Sequence, residues 1–143
     1  MVGNVREIPP PVLLSAIVCD TVILDALTGK GTVVGIFDTI NALRFPARHE
    51  VLFVFCQLTN GRGQVPIRVR IVDLENDEAL IHEAEVLGQF EDVRHVANMI
   101  VRIGGLTFPH PGEYRMQVYA GTDFLGERRI LCKELPAETG GVQ

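Results

Sequence analysis

Between residues 12 and 133 the chain never runs far without a turn signal. Thr28-Gly29-Lys30-Gly31, Asn60-Gly61-Arg62-Gly63, Glu75-Asn76-Asp77, Gly104-Gly105, His110-Pro111-Gly112 and Ala120-Gly121-Thr122-Asp123 interrupt segments rich in Val, Ile and Phe. Such spacing leaves no room for crossover helices, so the strands must be joined by short turns and run mainly antiparallel. The pattern predicts strands at about 12–19, 21–27, 32–37, 50–58, 65–73, 79–87, 95–103, 113–120 and 124–132. A chain of 143 residues buries about two-thirds of its unfolded surface, enough for one domain. That domain is expected at 12–133, behind an extended arm at 1–11 that ends in Pro9-Pro10-Pro11 and before a polar tail at 134–143.

The fold class expected is an all-β, antiparallel, two-layer β-sandwich, immunoglobulin-like or jelly-roll-like. Two segments fit a helix as well as a strand. Val93, Val96, Ala97, Ile100 and Val101 form a helical stripe, whereas His95, Ala97, Met99, Val101 and Ile103 alternate, and strand is chosen. Asp77–Val86 offers Asn76 as a helix cap, but Leu80, His82, Ala84 and Val86 alternate with Ile81, Glu83 and Glu85 and pair back onto the preceding strand.

Two strands depart from the alternation that a sandwich requires. Residues 12–19 and Val51-Leu52-Phe53-Val54-Phe55-Cys56 are apolar at nearly consecutive positions, so both faces of each want cover. The cover is either the arm with the 39–49 loop or a second subunit, and the stiff Pro arm favours reaching across to a neighbour. Pro10, Val12, Leu14, Leu52 and Val54 are the expected self-association residues, in a homo-oligomer or with a protein partner.

The net charge of −5 argues against a general nucleic-acid binder. The apolar run at 12–19 is too short to span a bilayer and lacks the flanks of a signal peptide, so no membrane partner and a cytoplasmic location are expected. Cys19, Cys56 and Cys132 are odd in number and lie among apolar residues, which reads as reduced, buried thiols.

Catalytic constellations are absent from the pattern. Ser15, the chain's one serine, has no glycine elbow, and His49, His82, His95 and His110 show no zinc-ligand spacing. No cofactor and no metal set is expected. Asp20, Asp25 and Asp38 stand at strand ends where they converge on a cation or serve as turn caps, and caps are favoured. Asp73, Glu75, Asn76, Asp77 and Glu78 lack the Gly and closing Glu of a calcium loop and read as a solvated turn. Arg68 and Arg70 alternate with Ile67, Val69 and Ile71, so they share an outer face on which Arg102 and Arg115 also fit. Glu83, Glu85, Glu113 and Glu127 are spaced to pair with them. As an alternative function, Asp25, Lys30, Asp38, Arg68, Arg70 and Arg115 are the candidate residues for binding a small anion, a sugar or a partner protein.

The runs Cys19-Asp20, Asp25, Thr28-Gly29-Lys30, Gly35-Ile36-Phe37-Asp38 and Phe45-Pro46, with Phe108-Pro109, Pro111-Gly112, Tyr114 and Leu125-Gly126-Glu127-Arg128, resemble those of a family of small uncharacterised bacterial β-sandwich domains. The resemblance implies a sandwich and supplies no catalytic residue. The Pro-Gly-x-Tyr segment also looks like a strand entry of immunoglobulin-like domains, where a Tyr hydroxyl ties back to the backbone. The function expected is therefore non-catalytic: a self-associating structural or protein-interaction module.

Overall fold

The computed structural model describes residues 9–137. Within them the chain forms nine strands: β1 (Val12–Leu24), β2 (Gly31–Ile36), β3 (Thr39–Ala42), β4 (Ala47–Thr59), β5 (Gly63–Asp73), β6 (Ala79–Phe90), β7 (Ala97–Phe108), β8 (Gly112–Ala120) and β9 (Asp123–Glu134). They divide into a four-stranded sheet of order β2-β1-β4-β7 and a five-stranded sheet of order β3-β9-β8-β5-β6. The chain changes sheet between β2 and β3, β3 and β4, β4 and β5, β6 and β7, and β7 and β8. Strands adjacent in space are thus often distant in sequence, a Greek-key arrangement of immunoglobulin-like rather than jelly-roll type.

The all-β expectation and most strand positions hold, with three corrections. Residues 12–27 form one strand followed by a turn, not two strands. β1 pairs with β4 up to Cys19 and with β2 from there on, and the charge at Asp20 is tolerated because that side chain is exposed. β3 lies in a stretch expected to be a loop. It pairs with β9 in parallel, Thr39 opposite Leu131 and Ala42 opposite Glu134, so the sandwich is not wholly antiparallel. β7 begins at Ala97 and extends to Phe108, past Gly105, whose φ of 68° lies in the left-handed region that glycine adopts without steric cost.

The core lies between the inner faces, where period-2 alternation puts Leu52, Val54, Cys56 and Leu58 of β4 against Ile67, Val69 and Ile71 of β5 and Met116 and Val118 of β8. Removing each such Leu or Ile from water contributes about 1.5–3 kcal/mol. Of the expected arm, residues 1–8 lie outside the described range. Pro9 and Pro10 are exposed and Pro11 is buried. Of the expected tail, 138–143 lie outside it, and β9 runs on to Glu134 with the Leu135 amide bonded to the Ala42 carbonyl.

Candidate functional site

The two sheets differ in what they show to solvent. On the four-stranded sheet, antiparallel register places directly paired residues on one face. Phe53 stands beside Cys19, which stands beside Ile36, while Phe55 lies between Ile17 and Ile100. Ile36 is 59% exposed and Ile23 is 54% exposed, and Val34 also opens to solvent, so this apolar face has no cover among the described residues. At one end it closes with a polar ladder in which Ser15 Oγ donates to Gln57 Oε1 (3.1 Å) and Gln57 Nε2 donates to Asn98 Oδ1 (3.1 Å). Cys19 belongs to this outward row rather than to the core: Phe53 and Ile36 cover it, and its thiol donates to the Thr21 carbonyl.

Of the residues expected to self-associate, Val12, Leu14 and Pro10 are exposed at the margin of this sheet. Leu52 and Val54 are not part of that surface. Both are fully buried and face the five-stranded sheet, and their neighbours Phe53 and Phe55 carry the outward row. An uninterrupted apolar run reveals that both faces are apolar but not which residues take which face, because shifting the assignment by one exchanges the two sets.

The five-stranded sheet carries paired charges on its outer face. Glu83 serves both Arg68 (3.1 Å) and Arg70 (3.8 Å), Arg115 lies between Glu113 and Glu127, and Arg129 also reaches Glu113 (2.9 Å). The Tyr119 ring sits 4.9 Å from the Arg68 guanidinium carbon and 5.9 Å from that of Arg70. Arg68, Arg70 and Arg115 therefore form the expected ladder, neutralised by its own glutamates, whereas Arg102 does not join it because it lies on β7 of the other sheet, opposite Phe53. Glu113 is held below the usual carboxylate range, chiefly by its hydrogen bond from Arg115. Beneath these long side chains Gln117 is buried; its Oε1 and the neighbouring Arg70 Nε have no partner within hydrogen-bond distance.

Asp25 and Lys30 sit apart from the arginines, at the tip of the β1–β2 hairpin. Asp25 Oδ1 accepts from the amides of Leu27 (2.7 Å) and Thr28 (3.0 Å), which lowers its pKa and makes it a turn cap. Asp38 Oδ1 accepts from the Thr39 hydroxyl as the chain crosses to the other sheet. Asp20, Asp25 and Asp38 do not converge on a cation site among the described residues.

At the β7–β8 corner Tyr114 Oη donates to the His110 carbonyl (2.6 Å) and accepts from the His110 amide (3.2 Å), the tyrosine-corner geometry that the Pro-Gly-x-Tyr segment suggests. Burial pushes the Tyr114 hydroxyl up to about 12. Asp73 is not solvated as expected. It is buried, and its Oδ2 lies 2.6 Å from His110 Nε2, while His110 Nδ1 lies 2.7 Å from the Pro111 carbonyl oxygen. With an acceptor at each ring nitrogen, the imidazolium is favoured and the His110 pKa is raised. No ring nitrogen remains to take a proton from a substrate. The three cysteines are buried and free, and burial pushes Cys56 and Cys132 up to about 12, far from a reactive thiolate.

A model of one protein family matches residues 14–132. The chain belongs to DUF6941, a family of unknown function. No curated protein matches the chain in sequence. Among solved structures, this DUF6941 chain is similar to an immunoglobulin-like protein from Pseudomonas aeruginosa, at 11% identity and a TM-score of 0.42, covering 89% of this chain and 99% of that one. It is also similar to part of a β-glucosidase from Listeria innocua in complex with isofagomine, at 11% identity and a TM-score of 0.46. That match covers 86% of this chain but only 16% of the glucosidase.

One further feature of this DUF6941 fold has no signal in the sequence. Where β2 leaves the four-stranded sheet for β3, a cleft of about 340 Å³ opens between Asp20, Gly35, Ile36, Phe37, Thr39, Ile40, Asn41 and His49. Its lining comes from β1, β2, β3, β4 and a link between them, so no contiguous motif announces it.

Proposed function

We propose that this protein is a non-catalytic interaction module that associates with a second copy of itself through the outer face of its four-stranded sheet. The observation that supports the reading most is the outward apolar row in which Val34 and Ile36 are exposed and Ile17, Phe53, Phe55 and Ile100 are half-buried. Four strands about 4.8 Å apart, with outward rows about 6.8 Å apart, give a face on the order of 500 Å². Two such faces stacked as sheets remove on the order of 1,000 Å² or more from water, the lower limit for a specific interface. A second copy suits the surface because the face is flat, apolar and edged by polar groups such as Gln57, Asn98 and Arg102, so two identical faces meet without stranding a charge at the centre.

Light scattering and sedimentation of the intact chain at micromolar concentration test this. The expected result is a dimer or higher oligomer that Ile36→Glu converts to monomer with an unchanged far-ultraviolet circular dichroism spectrum. A monomeric intact chain overturns the proposal, as does an oligomer that Ile36→Glu and Phe53→Glu both leave intact.

A further inference from the structure

We infer that the cleft between β2 and β3 is a binding site for an alkylammonium group, a primary amine cation on a short apolar stem. This goes beyond self-association, because the cleft lies where the two sheets exchange strands, at the margin of the apolar face, with which it shares Ile36 alone.

The lining sets the ligand class. Asp20 is its one carboxylate, and no Lys or Arg stands among the lining residues. Asp20 enters no ion pair among the described residues, in contrast with the self-neutralised charges of the five-stranded face. Ile36 and Ile40 provide aliphatic wall, and Phe37 and His49 form an aromatic one, their ring centroids 5.7 Å apart and tilted by 43°. Thr39 and Asn41 add polar side chains at the same opening. An anion has no cation to meet here. An ammonium group meets a carboxylate and an aromatic ring, while its methylene stem lies against isoleucine. A volume of about 340 Å³ falls at the small end of ligand sites and admits a short chain.

The backbone under Asp20 is shaped for this placement. Gly35 has a φ of +71°, and a Cβ on it would collide with the carboxylate and Cβ of Asp20. The carboxylate therefore rests against bare backbone, and two separate requirements, the left-handed φ and the missing side chain, fall on the same residue.

An ammonium of this kind comes either from a free amine or from a lysine side chain of another protein. Titration of uniformly ¹⁵N-labelled intact protein with 1,5-diaminopentane, with Nα-acetyl-lysine amide and with 1-pentanol separates the cases. We expect saturable shifts of the Gly35 and Asn41 amides with the diamine. Asp20→Asn should weaken it about tenfold or more, the effect of losing a charge-assisted contact. Phe37→Leu should weaken it by a smaller factor. Binding of the diamine alone identifies a free amine as the ligand; binding of the lysine amide as well identifies a lysine of a partner. Absence of saturable shifts at these amides overturns the inference. So does binding that survives Asp20→Asn, or 1-pentanol binding as tightly as the diamine. Asp20 is exposed, so the variant is expected to fold, and the position of the Tyr114 and Phe108 resonances verifies that it has.

Discussion

The outer faces of the two sheets are built from the same alternating strands but meet water differently. On β5, β6, β8 and β9 the outward positions carry Arg68, Arg70, Glu83, Arg115, Glu127 and Arg129, each sign beside the other. On β1, β2, β4 and β7 they carry Ile17, Ile36, Phe53, Phe55 and Ile100. The inner faces are alike and make the fold; the outer faces are unlike, one carrying paired charges and the other apolar side chains, and it is the apolar one on which the proposed association rests. A charged face whose members satisfy one another offers a partner little, since exposed pairs are weak and already made.

The sharpest test of this contrast uses adjacent residues of β4. Leu52→Ala, in the core, should cost about 2–5 kcal/mol in urea unfolding of the monomeric protein. Phe53→Ala should cost clearly less in that monomer while abolishing assembly; equal losses from the two would end the distinction between inner and outer rows. Tyr114→Phe removes only the hydroxyl that ties the corner to His110 and should cost about 1–2 kcal/mol by thermal melting. On the charged face, Glu83→Gln should change stability by about 1 kcal/mol or less, with a salt dependence, and leave the oligomeric state as it was.

The His110–Asp73 pair adds a pH dependence that belongs to neither face. Because the folded pKa of His110 is raised, first by the Pro111 carbonyl and then by Asp73, its contribution is complete below the ordinary histidine value near 6.5. It is lost as pH rises through the higher folded value. The urea midpoint of the wild type should therefore fall relative to His110→Gln as pH passes from 5.5 towards 8.5; parallel curves would show that the ring is not held as a cation.

Much of the strand layout was legible because apolar alternation and Gly-rich turns are local signals. β3 was not: Thr39-Ile40-Asn41-Ala42 is too short to show a period, and its partner, Leu131 to Glu134, is far from it in sequence. The double-sided apolar character of β1 and β4 was legible as an apolar outer face but named Leu52 and Val54 for the outside, since only inter-sheet packing decides parity. Asp73 read as a solvated turn residue because nothing near it in sequence announces His110. Asp20 and His49 meet at the cleft through a crossover that the chain makes between them, which no spacing encodes.

The parallel pairing of β3 with β9 also carries a consequence in time. Thr39 leaves the ribosome well before Leu131, so this edge of the five-stranded sheet stays open until β9 has been made. A contact between such distant segments carries a high loop-closure entropy and forms late. Thr39, Ile40 and Asn41 are also walls of the cleft, which means that the pocket holding Asp20 is completed only by the closing of the chain. In pulsed hydrogen exchange during refolding, the amides of β3 should be protected after those of β4, β5 and β8. Protection of β3 in the first phase would show that the clasp precedes the body it fastens.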